Sequence, residues 1–236
     1  FTGTCWKNIS NEKSVFKIWS PTAEEVKIYI YEAGRGGEPL QSENMKRTKK
    51  GVWEITFNED LKGKFYAFQV KADNAWLDEV PDPYVKAVGV NGDRGMVIDF
   101  AETNPEGWEN DRRPPLENFN NIIVYELHVR DLSSDPNSGI KNTGKFLGLT
   151  ETGTTSPEGE MTGLDHIKDL GVTHIHLLPS YDYKSLDETI ENNPNYNWGY
   201  DPKNYNVPEG TYATDPYDGA VRIREFKQMV KTLHEN

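Results

Sequence analysis

Alternating apolar and polar positions dominate the first hundred residues of the chain. Val26, Ile28 and Ile30, for example, are separated by a lysine and a tyrosine. This period of two places every second side chain on one face, as in a strand that is buried on one side. Short strands separated by turns are typical of a sandwich, so we predict an immunoglobulin-like β-sandwich over residues 1–100. The predicted strands cover residues 15–19, 26–31, 53–57, 66–70 and 96–98.

The pattern changes after residue 100. Residues 101–121 contain an Asn-Pro and a Pro-Pro dipeptide, and proline disfavours both sheet ladders and helices, so we predict a linker here. A continuous apolar run follows at residues 122–127, which is typical of a strand that is buried on both faces of a parallel sheet. Residues 172–178 are predicted as a second strand, which ends before Pro179.

Helical periods accompany these two predicted strands. Leu164, Ile167 and Leu170 recur at helical spacing before the second strand, and residues 219–235 form an amphipathic helix. The order strand, helix, strand, helix indicates two βα units of a parallel α/β fold. A loop of about 40 residues, 180–218, precedes the last helix, and loops of that length are usually functional or disordered.

Residues 122–236 are too few for a closed barrel, because a (β/α)8 fold needs about 250 residues. We therefore expect them to be the N-terminal part of a (β/α)8 TIM barrel that is incomplete in this chain. The chain as a whole is then expected to be a fragment of a longer enzyme, and the missing part of the barrel is its expected partner.

Composition narrows the range of partners. The 236 residues carry 26 basic and 38 acidic side chains, a net charge of −12. This balance argues against nucleic acid and anionic membranes, because both are bound through clustered Lys and Arg. No apolar run approaches the roughly 20 residues of a membrane span. Cys5 is the only cysteine, which excludes an internal disulfide and a multi-cysteine metal site.

The long loop carries the candidate chemistry: Tyr196, Asn197, Trp198, Tyr200 and Asp201. Aromatic rings stack on the apolar faces of pyranose sugars, and amides and carboxylates bind hydroxyl groups. Because loops at the carboxyl ends of barrel strands build active sites, this pattern favours sugar binding. The alternative is that the rings pack the segment down as an ordered Ω-type loop.

The sequence YNWGYDP at residues 196–202 closely resembles type I pullulanases of glycoside hydrolase family 13. Residues 123–131 and 171–179 resemble the first and second barrel strands of that family. Residues 16–23 resemble the opening of a family 48 carbohydrate-binding module, and segments within 82–95 resemble its far end. The resemblance covers nearly the whole chain, and YNWGYDP is its specific part, because the strand motifs are shared across α-amylase relatives.

The resemblance implies an enzyme that hydrolyses α-1,6-glucosidic links with retention. Its partner would be an α-glucan such as pullulan, amylopectin or glycogen. Tyr200 would stack under the sugar at the cleaved bond, and Asp201 would bind a hydroxyl in the same pocket. Trp198 and Asn197 would either shape that pocket or hold the loop.

Retaining hydrolysis needs two carboxyl groups about 5–5.5 Å apart. Asp131 and Asp182 follow the two predicted barrel strands, but the resemblance implies that the catalytic carboxylates come from later strands, beyond residue 236. We therefore expect no catalytic residue in this chain. Asp131 is expected to pair with Arg130 or to orient the first loop, and Asp182 to cap or hydrate the second loop.

The histidines suggest no metal site. His174 and His176 lie two apart and share one face of the second strand, but a zinc site needs further ligands. We therefore expect both histidines in the core. No cofactor is expected; calcium occurs in the family that the chain resembles, but no EF-hand-like spacing is present.

The tryptophans of the predicted sandwich are Trp6, Trp19, Trp53 and Trp76. Trp19 and Trp53 fall within strands and are expected in the core, whereas Trp76 precedes a loop and is expected to be exposed. We expect the sandwich to dock against the barrel through residues 82–84 rather than to bind sugar.

Two other functions stay open on the sequence. One is a non-catalytic α-glucan-binding piece, and the other is a relative of isoamylase or branching enzyme. Tyr-Asp-Pro at residues 200–202 favours pullulanase over the latter. Because polymeric glucans do not enter cytoplasm readily, we expect an extracellular or cell-surface location.

Overall fold

The computed structural model describes residues 13–191 and 193–236. Cys5 and Trp6 therefore lie outside the described residues. Within the described ranges the secondary structure is mostly β-sheet with few helices. None of the helices there combines the length and the apolar character needed to cross a membrane.

Two antiparallel sheets form the N-terminal half, which confirms the predicted sandwich. The strands are β1 (Ser14–Trp19), β2 (Glu25–Tyr31), β3 (Gln41–Asn44), β4 (Lys46–Arg47), β5 (Val52–Phe57), β6 (Phe65–Ala72), β7 (Ala75–Trp76) and β8 (Gly95–Met96). One sheet has the order β1–β5–β4, and the other has the order β3–β2–β6–β7 with β8 also paired to β6. The last strand is shorter than predicted.

The core of the sandwich lies between these two sheets. Phe16 of β1 and Trp53 of β5 pack in one cluster with Ile28 of β2 and Phe68 of β6. These positions follow the predicted alternation, since each points to the inner face of its strand. Full burial of such a side chain stabilises the fold by about 1.5–3 kcal/mol.

Trp19 does not lie in the core as expected. Phe16 points inward, so Trp19, three positions along the same strand, points to the other face. Its side chain is 54% exposed, and its indole N–H donates to the Lys50 carbonyl at 3.0 Å. Trp53 is buried as predicted, and Trp76 is half-buried.

A parallel strand pair forms the centre of the C-terminal half. The pair consists of β9 (Val124–Leu127) and β10 (His174–Leu177), with helix α1 (Gly163–Asp169) between them in sequence. Helix α2 (Gly219–Glu235) ends the chain. The two strands and two helices predicted for this half are present.

One face of the parallel pair is covered by helices. Leu127 and Ile175 on this face pack with Ile167 of α1 and Met229 of α2. Side chains alternate across a strand, so the neighbouring positions, such as Val124, point to the opposite face and are exposed. The pair is therefore buried on one face and open on the other within the described residues.

The segment predicted as a loop of about 40 residues contains a second strand pair. Strands β11 (Tyr181–Tyr183) and β12 (Pro202–Pro208) run antiparallel with an irregular register. Prolines at both ends of β12 and the bulged register obscured the pattern of a strand. The true loop is the excursion between these strands, residues 184–201.

The first part of the predicted linker lies along α2. Lys227 Nζ donates to Thr103 Oγ1 and Asn104 Oδ1, each at 2.7 Å. Near the end of the helix, His234 Nδ1 lies 3.0 Å from the Asp111 carboxylate. Residues 112–121, which include the Pro-Pro dipeptide, are exposed.

Apolar contacts join the two halves. Val88 packs against Val207 of β12, and Ile98 packs against Ile223 of α2. Gly219 approaches the sandwich so closely that a Cβ there would lie 2.8 Å from the Val88 carbonyl oxygen. The contact surface therefore begins just after residues 82–84, which were expected to form it.

Arg222 of α2 is the charged centre of this interface and is fully buried. Its Nη1 donates to the carboxylates of Asp182 and Glu188 at 3.1 and 3.0 Å. Its Nη2 donates to the Gly89 carbonyl of the sandwich half at 3.1 Å and to the Pro216 carbonyl at 2.7 Å. The rigid fork of donors on arginine therefore links α2, β11, the loop after β11 and the sandwich.

Glu188 carries this network further into the sandwich half. Its Oε2 accepts from the Asn91 backbone N–H at 2.5 Å, and its own backbone N–H donates to Asn91 Oδ1 at 2.8 Å. Asn204 of β12 donates through Nδ2 to the Gly92 carbonyl at 2.9 Å. The two halves are held by hydrogen bonds that run in both directions.

We expect Arg222→Met to lower the free energy of unfolding by about 3–5 kcal/mol, because it leaves buried carboxylates without their cation. Urea denaturation of the chain measures this loss. Arg224→Met, an exposed position on the same helix, is the matched control and should cost no more than about 0.5 kcal/mol. Equal effects of the two substitutions would contradict the assigned role of Arg222.

Candidate functional site

The aromatic loop, residues 196–201, lies at the carboxyl ends of the two parallel strands. His128 directly follows β9, and its Nε2 lies 2.9 Å from the Asn197 carbonyl oxygen. Gly199 lies against Pro179, just beyond β10. Ligands of parallel α/β folds bind at this edge of the sheet, so the position of the loop agrees with its sugar-binding composition.

Gly199 permits the close approach of the loop to the strand ends. Its φ of +86° lies in the left-handed region, which glycine adopts at little cost. A Cβ at this position would overlap the Pro179 carbonyl oxygen and lie 3.0 Å from the Pro179 Cβ. A side chain here would therefore push the aromatic loop off the strand ends.

The rings of the aromatic loop face solvent. Trp198 and Tyr200 are 62% and 66% exposed, and Tyr196 is 47% exposed. The rings of Tyr196 and Trp198 stand edge to face with centroids 6.4 Å apart. A loop packed down by its own rings would bury them, so this exposure favours the sugar-binding hypothesis over the Ω-loop alternative.

Asn197 and Asp201 order the loop from within. Asn197 Nδ2 donates to Asp201 Oδ1 at 2.9 Å, and Asn197 Oδ1 accepts from the Gly199 N–H at 2.7 Å. Asp201 Oδ2 accepts from the backbone N–H and hydroxyl of Ser185. Partial burial opposes ionisation of Asp201, but the hydrogen bonds outweigh it and lower its pKa. Both carboxylate oxygens thus have structural partners, and sugar binding by Asp201 stays a prediction.

Asp131 contacts the aromatic loop from the end of the first strand. Its Oδ2 accepts from the Tyr196 hydroxyl at 3.1 Å, and its Oδ1 lies 3.7 Å from His128 Nδ1. Arg130 donates to the Asn195 carbonyl at 2.7 Å. Of the two expected roles of Asp131, these contacts support orientation of a loop, and the loop is the aromatic one.

Two further rings, one exposed and one half-buried, were not identified as site residues from the sequence. Tyr205 of β12 is 69% exposed, and its ring centroid lies 5.5 Å from that of Tyr181 on β11. Burial is the main cause that raises the pKa of Tyr181, and the nearby phenols of Tyr205 and Tyr200 raise it further. The three phenols therefore share one region of the surface. The signal that would have found them is the β11–β12 pairing, which the pattern analysis missed.

Asp182 does not cap or hydrate the second loop as expected. It is fully buried on β11, where it accepts from Arg222 at 3.1 Å and from Asn204 Nδ2 at 2.7 Å. Burial raises the pKa of Asp182 to about 6, against the pull of Arg222. The pKa of Glu209 is raised to about 8, mainly by burial and further by repulsion from the carboxylates of Glu188 and Asp182.

These buried carboxylates do not fit a metal ion. Asp182, Glu188 and Glu209 bring oxygen atoms within 4.8 Å of one another, and carboxylate oxygens are the ligands that calcium prefers. Arg222, however, forms ion pairs with both Asp182 and Glu188, so it already supplies the positive charge. Full burial also closes this cluster to a polysaccharide.

His174 and His176 do not lie in the core as expected. Both are exposed on the open face of β10, because Ile175 between them points to the covered face. His176 Nδ1 lies 3.4 Å from Glu126 Oε2 on the neighbouring strand. The shared face was correctly predicted, but its burial was not.

Comparison with known proteins tests the family resemblance. Residues 3–85 match the family described as Carbohydrate-binding module 48 (Isoamylase N-terminal domain). Over 228 residues the chain is 39% identical to "Pullulanase" of Bacillus subtilis (strain 168). The aligned region covers 95% of this chain and 30% of that protein. The chain is homologous to pullulanases. The predicted resemblance is thereby confirmed.

Solved structures agree with this assignment. The crystal structure of pullulanase from Paenibacillus barengoltzii in complex with maltohexaose and α-cyclodextrin is similar with a TM-score of 0.93 and 53% identity, covering 96% of this chain and 35% of that one. The pullulanase from Bacillus acidopullulyticus gives a TM-score of 0.90 and 41% identity, covering 96% and 27%. The chain thus spans about a third of the length of these relatives.

We expect Gly199→Ala to destabilise the chain more than Gly36→Ala does. Both glycines have a positive φ, which costs an alanine about 1–2 kcal/mol. Only Gly199 has backbone atoms in the path of a Cβ, whereas the space around Gly36 is open. Urea denaturation gives both free energies of unfolding. Equal losses would show that the loop does not depend on its contact with Pro179.

We expect the free energy of unfolding to fall as the pH rises from about 4.5 to about 8. Asp182 and Glu209 have pKa values of about 6 and about 8 in the folded chain but ordinary, lower values in the unfolded chain. The folded state therefore holds protons that the unfolded state has released, and this stabilisation is lost as those protons dissociate. Urea denaturation across this pH range measures the change.

Glu209→Gln supplies the comparison for this pH dependence. Glutamine mimics the protonated carboxyl group, so the variant should lose less stability than the parent chain between pH 7 and pH 8. A free energy of unfolding that rises over the same interval in the parent chain would contradict the assignment.

Proposed function

We propose that this chain is the N-terminal part of a debranching enzyme that hydrolyses α-1,6-glucosidic linkages of α-glucans with retention. The single observation that carries this proposal is the aromatic loop. It presents Trp198 and Tyr200 to solvent at the carboxyl ends of β9 and β10. The pullulanase homology supports the reaction class.

Tyr200 is proposed to stack on the sugar ring at the cleaved bond. Its ring is the most exposed in the aromatic loop, and a phenol ring offers a flat apolar surface to a pyranose. Trp198 extends this surface on the same loop. Asn197 acts by ordering the loop through Gly199 and Asp201, and Asp201 would use its remaining acceptor capacity for a sugar hydroxyl.

The parallel pair β9–β10 is proposed to begin a (β/α)8 barrel. The parallel pairing, the helix α1 between the strands and the cover of one face by helices support this fold. Within the described residues each of these strands has one hydrogen-bonded neighbour, and Val124 and His176 lie exposed on the other face. Further barrel strands would pair with these edges and enclose that face.

The catalytic carboxylates are proposed to lie outside this chain. The described carboxyl groups that cluster closely, Asp182, Glu188 and Glu209, are buried where a substrate cannot reach them. Arg222 engages Asp182 and Glu188, and Glu209 accepts from the backbone N–H groups of Tyr183 and Thr211. Asp131 is exposed but is engaged with Tyr196. The chain alone would therefore bind glucan without hydrolysing it.

The sandwich is proposed to serve as a structural module next to the barrel. Its contacts with β12 and α2 support this role. The name of the family matched by residues 3–85, in contrast, refers to carbohydrate binding.

We propose an extracellular or cell-surface location, since the substrate is a polymer. The non-catalytic alternative predicts glucan binding by the parent protein without release of reducing ends.

We expect Tyr200→Ala in the full-length enzyme to lower kcat/KM on pullulan at least tenfold. The reason is that loss of stacking removes at least about 1.4 kcal/mol of transition-state stabilisation. Tyr84→Ala, an exposed tyrosine of the sandwich, is the control and should leave kcat/KM unchanged. A loss smaller than tenfold would rule out the stacking role. Absence of reducing-end release by the parent enzyme would favour the non-catalytic alternative.

A further inference from the structure

His128 makes two polar contacts through one ring nitrogen. The residue is buried directly after β9. Its Nε2 lies 2.9 Å from the Asn197 carbonyl oxygen and 3.0 Å from the Tyr212 hydroxyl. One contact reaches the aromatic loop, and the other reaches the turn after β12.

The Asn197 contact determines which nitrogen carries the proton. A carbonyl oxygen only accepts hydrogen bonds, so Nε2 must donate to it. Neutral histidine has a single ring N–H, and this choice leaves Nδ1 as a bare acceptor. The opposite tautomer would set two lone pairs against each other at 2.9 Å.

His128 Nδ1 is accordingly a buried polar atom without a hydrogen-bond partner among the described residues. It faces Asp131 Oδ1 at 3.7 Å, an unfavourable arrangement for a lone pair next to a carboxylate. Buried unsatisfied groups are rare in native proteins and call for an explanation. The contact of Nε2–H with the Asn197 carbonyl supplies this explanation, because it leaves Nδ1 as the nitrogen without a donor.

We propose that His128 is a positioning residue that holds the aromatic loop on the strand ends through Nε2–H. The Asn197 carbonyl takes this donor directly, and Asp131, which lies beside the His128 ring, accepts from the Tyr196 hydroxyl of the same loop. The sugar-binding consequence of this inference rests on the proposed function; the positioning itself does not.

The groups that face His128 come from three segments. Asp131 and Arg130 belong to its own segment, Tyr196 to the aromatic loop with its ring centroid 5.1 Å away, and Tyr212 to the turn after β12.

Substitution of His128 by glutamine and by asparagine tests the roles of its two ring nitrogens separately. The amide of His128→Gln reaches the position of Nε2 and keeps a donor to Asn197, whereas the amide of His128→Asn reaches only the position of Nδ1. The readout is hydrogen exchange of the Gly199 amide, whose N–H donates to Asn197 Oδ1. We expect exchange within threefold of the parent chain for the glutamine variant and at least tenfold faster exchange for the asparagine variant.

His174→Gln, an exposed histidine on β10, is the control and should match the parent.

Two results would overturn the proposal: equal exchange in the glutamine and asparagine variants, or an Nδ1–H tautomer in the imidazole ¹⁵N spectrum at pH 8.5. Maltohexaose affinity, measured on the same samples, should follow Gly199 protection. If Gly199 protection follows His128 while no variant and no parent chain binds maltohexaose, the positioning role is supported and the proposed function is the part that fails.

Discussion

The burial of Arg222 is the constraint on which the architecture depends. A guanidinium removed from water must have its donors paired and its charge balanced. Asp182 and Glu188 balance the charge, and the carbonyls of Gly89 and Pro216 take the remaining donors. These partners come from the sandwich, from β11 and the loop after it, and from the turn before α2. None of these segments can shift without leaving a buried charge unpaired.

The candidate site is built on this fixed frame. β11 and β12 begin and end the excursion that carries the aromatic loop, and Arg222 holds β11 through Asp182. On the other side, His128 and Pro179 fix the loop at the ends of the parallel strands. The loop thus exposes its rings while its backbone is held at both sides, which limits the entropy that a bound sugar would have to remove.

Local patterns predicted the strands and helices well, and they failed where long-range packing decides. Five of the eight sandwich strands and α2 follow from periods of two and 3.6, and the parallel pair follows from its apolar segments. The short strands β3, β4 and β7 were not predicted. β12 was missed because prolines and a bulge interrupt its period. Trp19, His174 and His176 were placed in the core although they lie on exposed faces. Periodicity states which residues share a face, and it does not state whether another element covers that face.

The sequence by itself determined the order of the predicted elements, the resemblance to pullulanases and the residue types of the aromatic loop. Only the tertiary structure decided that Asp182 pairs with Arg222, that Asp131 and His128 support the loop, and that Tyr181 and Tyr205 lie beside it. The physical reason is distance along the chain. Spacing patterns act over a few residues, whereas Arg222 meets Gly89 across 133 positions, and such contacts exist only once the elements have packed.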